Sequence, residues 1–533
     1  MPTILPSPRP VTSWRFLLKI LAGLGGPLLT AFLVKLYRHR TRWRALHLPG
    51  PPHSLLFGHL RTFGEEARKN PGKHLDYTAQ AVATTYGQGL VFLDLWPFAM
   101  PICLVSDPHV ADQIVRIHNV PKCLRAMTVH FPIFGKESLA LAASDKKGDC
   151  HWRTIRKAIA PGFKKGHLER SWTEDVIDVG SNFSSLLISR AIDGHPANMA
   201  EYLVDATLDL ILRVTIGSRD HVLAHNVLQV LNTQLDHASD TGVNAAIFAR
   251  FNPWTRYGQY KRTRQMHNLL APTVEAHIRT SQVEDLSLKP NKDVLDWALF
   301  DHPHFGVNTL IDQVKTFVLA GHDTASSTLA WTYYHLSQSP RVLRALRDEH
   351  TAVFDTQEVE KGKGNTIGRE GELIQADPAI LNGLKYTLAV MRESLRLYPP
   401  ASAVRQADGD VYEVEHHGQK YSAAGCMLWI NHWCLHRSTA LWGDDAAEYK
   451  PERWLDEQSN LIAPPLAWQP FSKGPKNCIG MEFGILEQKI LLAMTIRKFD
   501  FEYAGEQDPY QIFRLTAQPN NGIPLRIRLA GKR

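Results

Sequence analysis

Residues 471–480 read FSKGPKNCIG, a single cysteine set between a glycine-bearing loop and a run that repeats apolar side chains every three or four positions. Phe483, Ile485, Leu486, Ile490, Leu491, Met494 and Ile496 recur as one face of a helix, so the spacing predicts a helix over residues 481–499. Cys478 then lies near the helix start, where unpaired backbone N–H groups and the positive end of the dipole favour a thiolate. Gly474 and Gly480 suit either a tight turn or the close approach of a flat group to the backbone. Taken alone, such a cysteine reads as a small buried hydrophobe.

The chain around this loop has 533 residues, long enough for several domains or for one large helical body. Its 44% apolar content, with 13 Trp and 21 Phe, supplies an ordinary core and argues against a disordered or fibrous chain. The net charge is +7, but the basic and acidic residues are interspersed, which gives little reason to expect nucleic acid. Cys103, Cys123, Cys150, Cys426, Cys434 and Cys478 form no CxxC pair and read as reduced thiols of a cytosol-facing protein. His432 and His436 flank Cys434 four apart, in an apolar setting that reads as structural rather than zinc-binding.

The amino end differs in kind. After a short segment, residues 1–15, the span 16–37 is apolar apart from Lys19 and Lys35, and its length just matches a bilayer of roughly 30 Å. Gly25, Gly26 and Pro27 suggest a kink or an interfacial segment as the alternative. The basic cluster Lys35, Arg38, Arg40, Arg42 and Arg44 follows, and it places the large carboxyl part in the cytosol. Residues 38–52, ending in LPGPP, read as a basic, proline-rich linker. Residues 53–533 form the body. Within it, 90–95 and 100–105 read as short strands. Helices are predicted around Ile188 and over 202–214, 307–336, 341–353 and 386–397. The polar stretch 358–372 reads as an exposed excursion, and the coarse result is a mainly α body with small β-sheets.

Four further constellations carry chemistry. AGHDTAS, residues 320–326, sets a carboxylate and a hydroxyl in a long apolar helix, where Gly321 costs about 1 kcal/mol relative to alanine. It reads either as a solvent-facing turn or as a local helix opening beside a ligand, with Asp323 and Thr324 holding water and passing protons. Glu393 and Arg396 share a helix face, and Arg453 of the later PERW motif offers Glu393 a second cation. Trp152 and Arg156 sit four apart, able to hold a carboxylate or phosphate jointly. Arg405 follows a proline pair and is equally open to either reading.

WRTIR, AGHDTA, ESLR, PERW and FSKGPKNCIG, in this order over nearly the whole chain, resemble the cytochrome P-450 family, in its microsomal form. The resemblance implies the fold of that family, mainly α with small β-sheets, preceded by an N-terminal transmembrane helix. It implies that Cys478 is the axial thiolate of haem b iron. Trp152, Arg156, Arg405 and Lys476 then contact the haem propionates, Lys476 standing where arginine or histidine is usual, so the charge stays and the bidentate fork is lost. His436 is placed near the haem edge. Glu393, Arg396 and Arg453 become a structural network. Asp323 and Thr324 become the catalytic proton-delivery pair, with Ala325 where a second threonine is usual.

The same resemblance implies a monooxygenase that uses O2 and NADPH-derived electrons from a separate NADPH-cytochrome reductase, with cytochrome b5 as an optional second partner. Lys473 and Lys476 are candidate contacts for such an acidic partner. The expected location is the endoplasmic reticulum membrane, single-pass, with the catalytic domain in the cytosol. The substrate class is a lipophilic small molecule, with residues 401–404, Phe317, Val318 and 515–517 expected to approach it. The pattern resembles fungal members that tailor polyketides or terpenoids. Fatty-acid, alkane or xenobiotic hydroxylation are the alternatives, as are a reductase-independent isomerase or dehydratase and a membrane-tethered binding protein.

Overall fold

In the computed structural model, residues 13–531 are described except 88, 128–130, 143–148, 241–252, 360–366, 408, 410 and 515. The helix Val307–Gln338 is the axis of the body, and from Leu310 to Leu336 most of its side chains are buried. A helix buried on all sides needs apolar residues all round, which LIDQVKTFVLAG largely supplies. Its closest neighbour is the helix Met199–Ile216. The contact is tight because a Cβ on Gly321 would stand 2.5 Å from Ile211 Cγ1. The helix is unbroken at this point, so Gly321 serves close packing rather than a local opening.

The helix Met481–Thr495 packs on Thr173–Asp193, where Gly180 admits the Met494 sulfur in the same way. Predicted to continue to residue 499, it stops at Thr495. Phe499 and Phe501 are instead inward residues of the strand Phe499–Tyr503, paired with Pro524–Leu529, which also pairs Ala197–Asn198. The apolar run persists, but its period changes from helical to alternating. The expected strands are shorter than read, at Leu90–Leu93 and Ile102–Val105. They lead a four-stranded sheet completed by Met427–Ile430 and Ala403–Arg405. The hairpin Gln511–Arg514 and Thr516–Pro519 lies against the central helix. The remaining expected helices are present as Thr173–Asp193, Met199–Ile216, Pro340–Val359 and Lys385–Leu397. Of the polar excursion, 360–366 lie outside the described residues, while Glu370, expected to be exposed, is buried and paired with Arg497 at 2.8 Å.

The network around Glu393 fastens the segment before the cysteine loop to the helical body. Glu393 and Arg396 are fully buried and paired at 2.8 and 2.9 Å, and Arg453 Nε reaches Glu393 Oε1 at 2.9 Å. Trp454 Nε1 donates to the second carboxylate oxygen, and Arg396 also donates to the carbonyls of His436, Ala446 and Glu448. Every acceptor on Glu393 is met, which is what makes a buried charge tolerable.

At the amino end one helix runs Ser13–Ala45, so residues 38–45 continue it. Its last turns dock on the body: Arg40 is fully buried against Asp94, which also takes His39 and His53. Upstream, Leu28, Leu29, Phe32, Leu33, Val34 and Tyr37 are exposed. Among the described residues, no helix is long and apolar enough to cross a membrane.

Candidate active site

The cysteine loop is built on two backbone constraints. Cys478 N–H donates to the Phe471 carbonyl at 2.8 Å, and Asn477 N–H to the Gly474 carbonyl at 3.1 Å, closing successive turns. Gly474 has φ +73° and packs so closely on residues 115–116 that a Cβ would stand 2.2 Å from the Val115 carbonyl oxygen. At this glycine the close approach is to protein backbone, not to a bound group. At Gly480 a Cβ would meet nothing nearer than the Cys478 sulfur at 4.0 Å.

Cys478 lies three residues before the first residue of its helix and is exposed. Burial nevertheless raises its thiol pKa, against the downward pull of the Gly480 N–H and of Arg156. Both facts fit a thiol facing an internal space rather than bulk water. The expected thiolate preference at a helix start is therefore overridden by desolvation, and a coordinated cation would be needed to deprotonate it. On the buried central helix, Ala320 is exposed and Thr324 half-exposed, on one face four residues apart. Their opening is internal too.

Beside the loop, cations gather. Arg156 gives Nη1 to the Asn477 carbonyl at 2.9 Å and Nη2 to Asn477 Oδ1 at 2.6 Å, immediately next to Cys478. Lys476 Nζ donates to the Asn119 side chain at 2.7 Å and to its carbonyl at 3.1 Å. Arg156, Lys476 and Lys122 all stand 5.5 to 5.8 Å from the Trp152 ring centre. Lys122 donates to the carbonyls of Leu139 and Ala140, and an isolated bridge joins its backbone to Arg405. Burial, then Arg405, Arg156 and Lys476, push Lys122 down to about 7; burial pushes Arg405 down to about 10.

Two donors in this cluster are buried without a partner: Trp152 Nε1 and Arg405 Nε. A buried, unmet N–H costs about 1–3 kcal/mol, so the arrangement fits an anion held at this spot. Four cations and an indole N–H suit the paired carboxylates of haem, with Cys478 as the adjoining soft ligand for iron. Structure thus brings together Trp152, Arg156, Arg405, Lys476 and Cys478, and adds Lys122. No spacing could have singled out Lys122, a lone lysine in a loop far from Cys478 in sequence.

The acid and the hydroxyl face different ways. Thr324 Oγ1 donates to the Ala320 carbonyl at 2.7 Å on the open face. Asp323, one residue and about 100° around the helix, is buried against the carboxyl-terminal hairpin. Thr516 donates its hydroxyl to Asp323, and Gln518 Nε2 donates to Asp323 Oδ1 at 2.9 Å. Burial raises the Asp323 pKa, outweighing His322, Thr516, Arg514 and Gln518, which lower it.

Other expected contacts are placed less centrally. Phe317 is 5% exposed and its ring stacks on Phe163 at 5.3 Å, while Val318 is buried on another face. Phe317 stands seven residues, two turns, before Thr324 and shares its face of the central helix. Ala401 is exposed, Ala517 is buried, and Leu515 is outside the described residues. His436 is buried beside the Glu393 network, where its Nε2 accepts the Gln469 N–H. A separate trio, His277, Asp293 and Asp296, has its ligand atoms within 4.8 Å of one another. Asp293 and Asp296 form the capping box of the helix Val294–Asp301, and Lys289 already pairs with Asp296 at 2.6 Å. The trio is a helix cap rather than a metal centre.

Comparison with known proteins supplies the family. The cytochrome P450 family profile matches residues 48–525. The chain is 27% identical to cytochrome P450 monooxygenase polC of Polytolypa hystricis, over 95% of this chain and 94% of that one. It is 29% identical to cytochrome P450 monooxygenase acrF of Aspergillus aculeatus, over 82% and 93%. It is 25% identical to cytochrome P450 monooxygenase ptmJ of Penicillium ochrochloron, over 94% and 96%.

Proposed function

Because the chain belongs to the cytochrome P450 family and is a monooxygenase, we propose that it inserts one oxygen atom from O2 into a lipophilic polyketide or terpenoid intermediate of fungal secondary metabolism. The observation that carries the reading is the buried cation cluster with two unmet N–H donors beside Cys478. The fungal source of three relatives supports the substrate class.

When bound, haem b supplies dioxygen activation. Cys478 would hold its iron as a thiolate, and Trp152, Arg156, Arg405, Lys476 and Lys122 would hold its propionates. Thr324, whose hydroxyl rests on the Ala320 carbonyl, would hold a water or pass a proton at the open face. Asp323, whose pKa burial raises, would be the proton reserve, passing its proton to Thr324 when its bonds to Thr516 and Gln518 part. The apolar lining of the central helix would exclude bulk water.

Electrons would come from NADPH through a separate reductase, with cytochrome b5 as a second donor. Exposed apolar residues from Leu28 to Tyr37, with the basic residues after them, support anchorage in the endoplasmic reticulum membrane, the body in the cytosol. The test is reconstitution with NADPH and a reductase, supplying lipophilic polyketides and terpenes and following product by mass. Product carrying one atom of 18O from labelled O2 supports the reading. Product formed equally without NADPH and reductase would mean an isomerase or dehydratase instead.

A further inference from the structure

Beneath the last turns of the amino-terminal helix Ser13–Ala45, three histidines and an arginine gather at Asp94. His39 and Arg40 come from the helix, His53 and His59 from the loop after it, and Asp94 follows the edge strand Leu90–Leu93. His39 Nε2 lies 2.9 Å from Asp94 Oδ1 and His53 Nε2 lies 3.0 Å from Oδ2, where Arg40 Nη1 also pairs. Arg40 Nη2 donates to the Trp96 carbonyl at 2.6 Å. His59, 3% exposed, holds the backbone of the same aspartate: its Nδ1 accepts the Asp94 N–H at 2.8 Å, and its Nε2 lies 3.0 Å from the Pro51 carbonyl oxygen. A Cβ on Gly58 would collide with the Arg40 guanidinium, so loop and helix are in close contact here. The loop is also paired with the strand, Phe92 N–H donating to the Pro49 carbonyl at 2.8 Å and His59 N–H to the Asp94 carbonyl at 2.9 Å. Helix end, loop and strand edge form one seat.

Hydrogen-bond direction fixes the charge state of this seat. A backbone N–H only donates and a backbone carbonyl only accepts, so His59 carries its proton on Nε2 and keeps the Nδ1 lone pair for Asp94. A second proton would enter at Nδ1, donor against donor. His53 is restricted in the same way: its Nε2–H donates to the carboxylate, and its Nδ1 is buried with no partner among the described residues. A proton added there would place a new cation beside Arg40 with no acceptor of its own. Burial foremost, with Arg40 and Arg44 adding to it, lowers the His53 pKa against the pull of Asp94. Burial, then His53, brings His59 down to about 4. Asp94 stays low, because His39, His53 and Arg40 outweigh the burial that raises it. Of the other groups nearby, Lys35 lies over the Trp96 ring at 5.8 Å, and Cys426 is pushed up to about 12 by burial and stays neutral. The seated form therefore binds fewer protons than the released form below the ordinary histidine value near 6.5. Seating is complete above that value and weakens as pH falls toward about 4.

We propose that this seat is a proton-operated latch: at neutral pH His53 and His59 hold Asp94 for Arg40 and fix the amino-terminal helix to the body, and in acid both rings take up protons, Asp94 lets go of Arg40 and the helix is freed to turn about residues 46–52. One ring acts on the carboxylate and the other on the backbone of the same residue, which couples the two protonations. The latch stands apart from the cation cluster beside Cys478 and from Thr324, so it governs how the body is held and not the chemistry within it. For His59 alone, the ratio of seated to released chain falls about tenfold between pH 7.5 and 5.5, and His53 adds to the fall.

The experiment follows hydrogen exchange in the full-length, haem-loaded protein in lipid nanodiscs at pH 7.5 and 5.5, with rates corrected for the intrinsic pH dependence of exchange. The amides of His59, Phe92 and Asp94, whose acceptors lie across the seat, should lose about tenfold or more of their protection at pH 5.5, while the helix Met481–Thr495 keeps its own. His53→Gln places an amide donor near the position of Nε2, and His59→Asn an amide oxygen near that of Nδ1, and neither takes up a proton. The double variant should stay protected at both pH values. Equal protection of the parent at the two values, or an undiminished pH response in the double variant, would overturn the latch. So would a parallel loss in Met481–Thr495, which means general acid unfolding. The parent comparison decides the matter even where a variant folds poorly.

Discussion

Gln518 donates to Asp323 twice, to the backbone carbonyl at 2.8 Å and to the carboxyl Oδ1 at 2.9 Å, so one side chain holds the acid about 100° around the helix from the open face at Thr324. An acid buried in this way has its folded pKa raised above the unfolded value of about 3.9. Between those two values the folded chain binds the extra proton, so the contribution of Asp323 to stability is present below about pH 4 and is lost as pH rises through the folded pKa. Asp323→Asn is expected to flatten that decline. Melting temperatures of parent and variant from pH 4 to 8 check it: the two curves should converge at the acid end and separate toward pH 8, with the variant higher.

Thr324→Ala removes the hydroxyl while leaving Cys478 and the cation cluster untouched. The variant should load haem and keep its carbon-monoxide band, yet convert most consumed NADPH to peroxide. A fall of about tenfold or more in product per NADPH is expected from general acid contributions of ~10²–10⁴. Thr324→Ser should recover most of the coupling. Coupling equal to the parent in Thr324→Ala would remove Thr324 from proton delivery.

Glu393 is the shared acceptor for Arg396, Arg453 and Trp454; Glu393, Arg396 and Trp454 are fully buried and Arg453 is half-buried. Glu393→Ala leaves the buried Arg396 guanidinium without its counter-charge, a loss of about 3–5 kcal/mol, while Arg453 keeps only Asp445. Urea denaturation should register it, and haem content should fall in parallel because the segment leading to the cysteine loop loses its fastening.

Lys122 carries a pH signature of its own. Its folded pKa, pushed down to about 7, lies below the unfolded value near 10.4, so the unfolded chain binds more protons between them. Stability of the haem-free protein should therefore rise with pH across about 7 to 10. Lys122→Met should remove the slope. Negative propionates reverse the effect on Lys122, so haem loading at pH 8 should take up a proton in the parent and not in the variant, as calorimetry in buffers of differing ionisation enthalpy would read.

Gly474→Ala tests the loop's backbone. The added methyl meets the Val115 carbonyl at a distance no relaxed contact allows, at a φ that disfavours any side chain. The expected outcome is a protein with lowered haem retention, by gel filtration and absorbance ratio, and with a cost above the ~1 kcal/mol of an ordinary glycine exchange.

What the sequence made legible were features with short-range signatures. The helical period located Val307–Gln338 within two residues, and the ExxR spacing with PERW named three members of a network that geometry completes with Trp454. Trp152 and Arg156 were legible as a pair, since four residues make one face. What escaped were facts set by distant chain. Lys122 joins the cation cluster only because the sheet brings Arg405 beside it. Asp323 and Thr324 are neighbours in sequence and the helix sets them about 100° apart, but that the hairpin around Gln518 covers one and leaves the other open is encoded by no local pattern. The end of the helix at Thr495 was hidden for a third reason: apolar residues continue through the change from helix to strand.

The amino-terminal helix, finally, works as a handle rather than a string. Its last turns are locked to the body through Arg40 and Asp94, with the Trp43 ring buried as well. A bilayer that takes up the exposed apolar half, from Leu28 to Tyr37, cannot reorient that half without turning the catalytic body by the same angle. The attitude of the whole enzyme toward the lipid surface would then be set at one carboxylate.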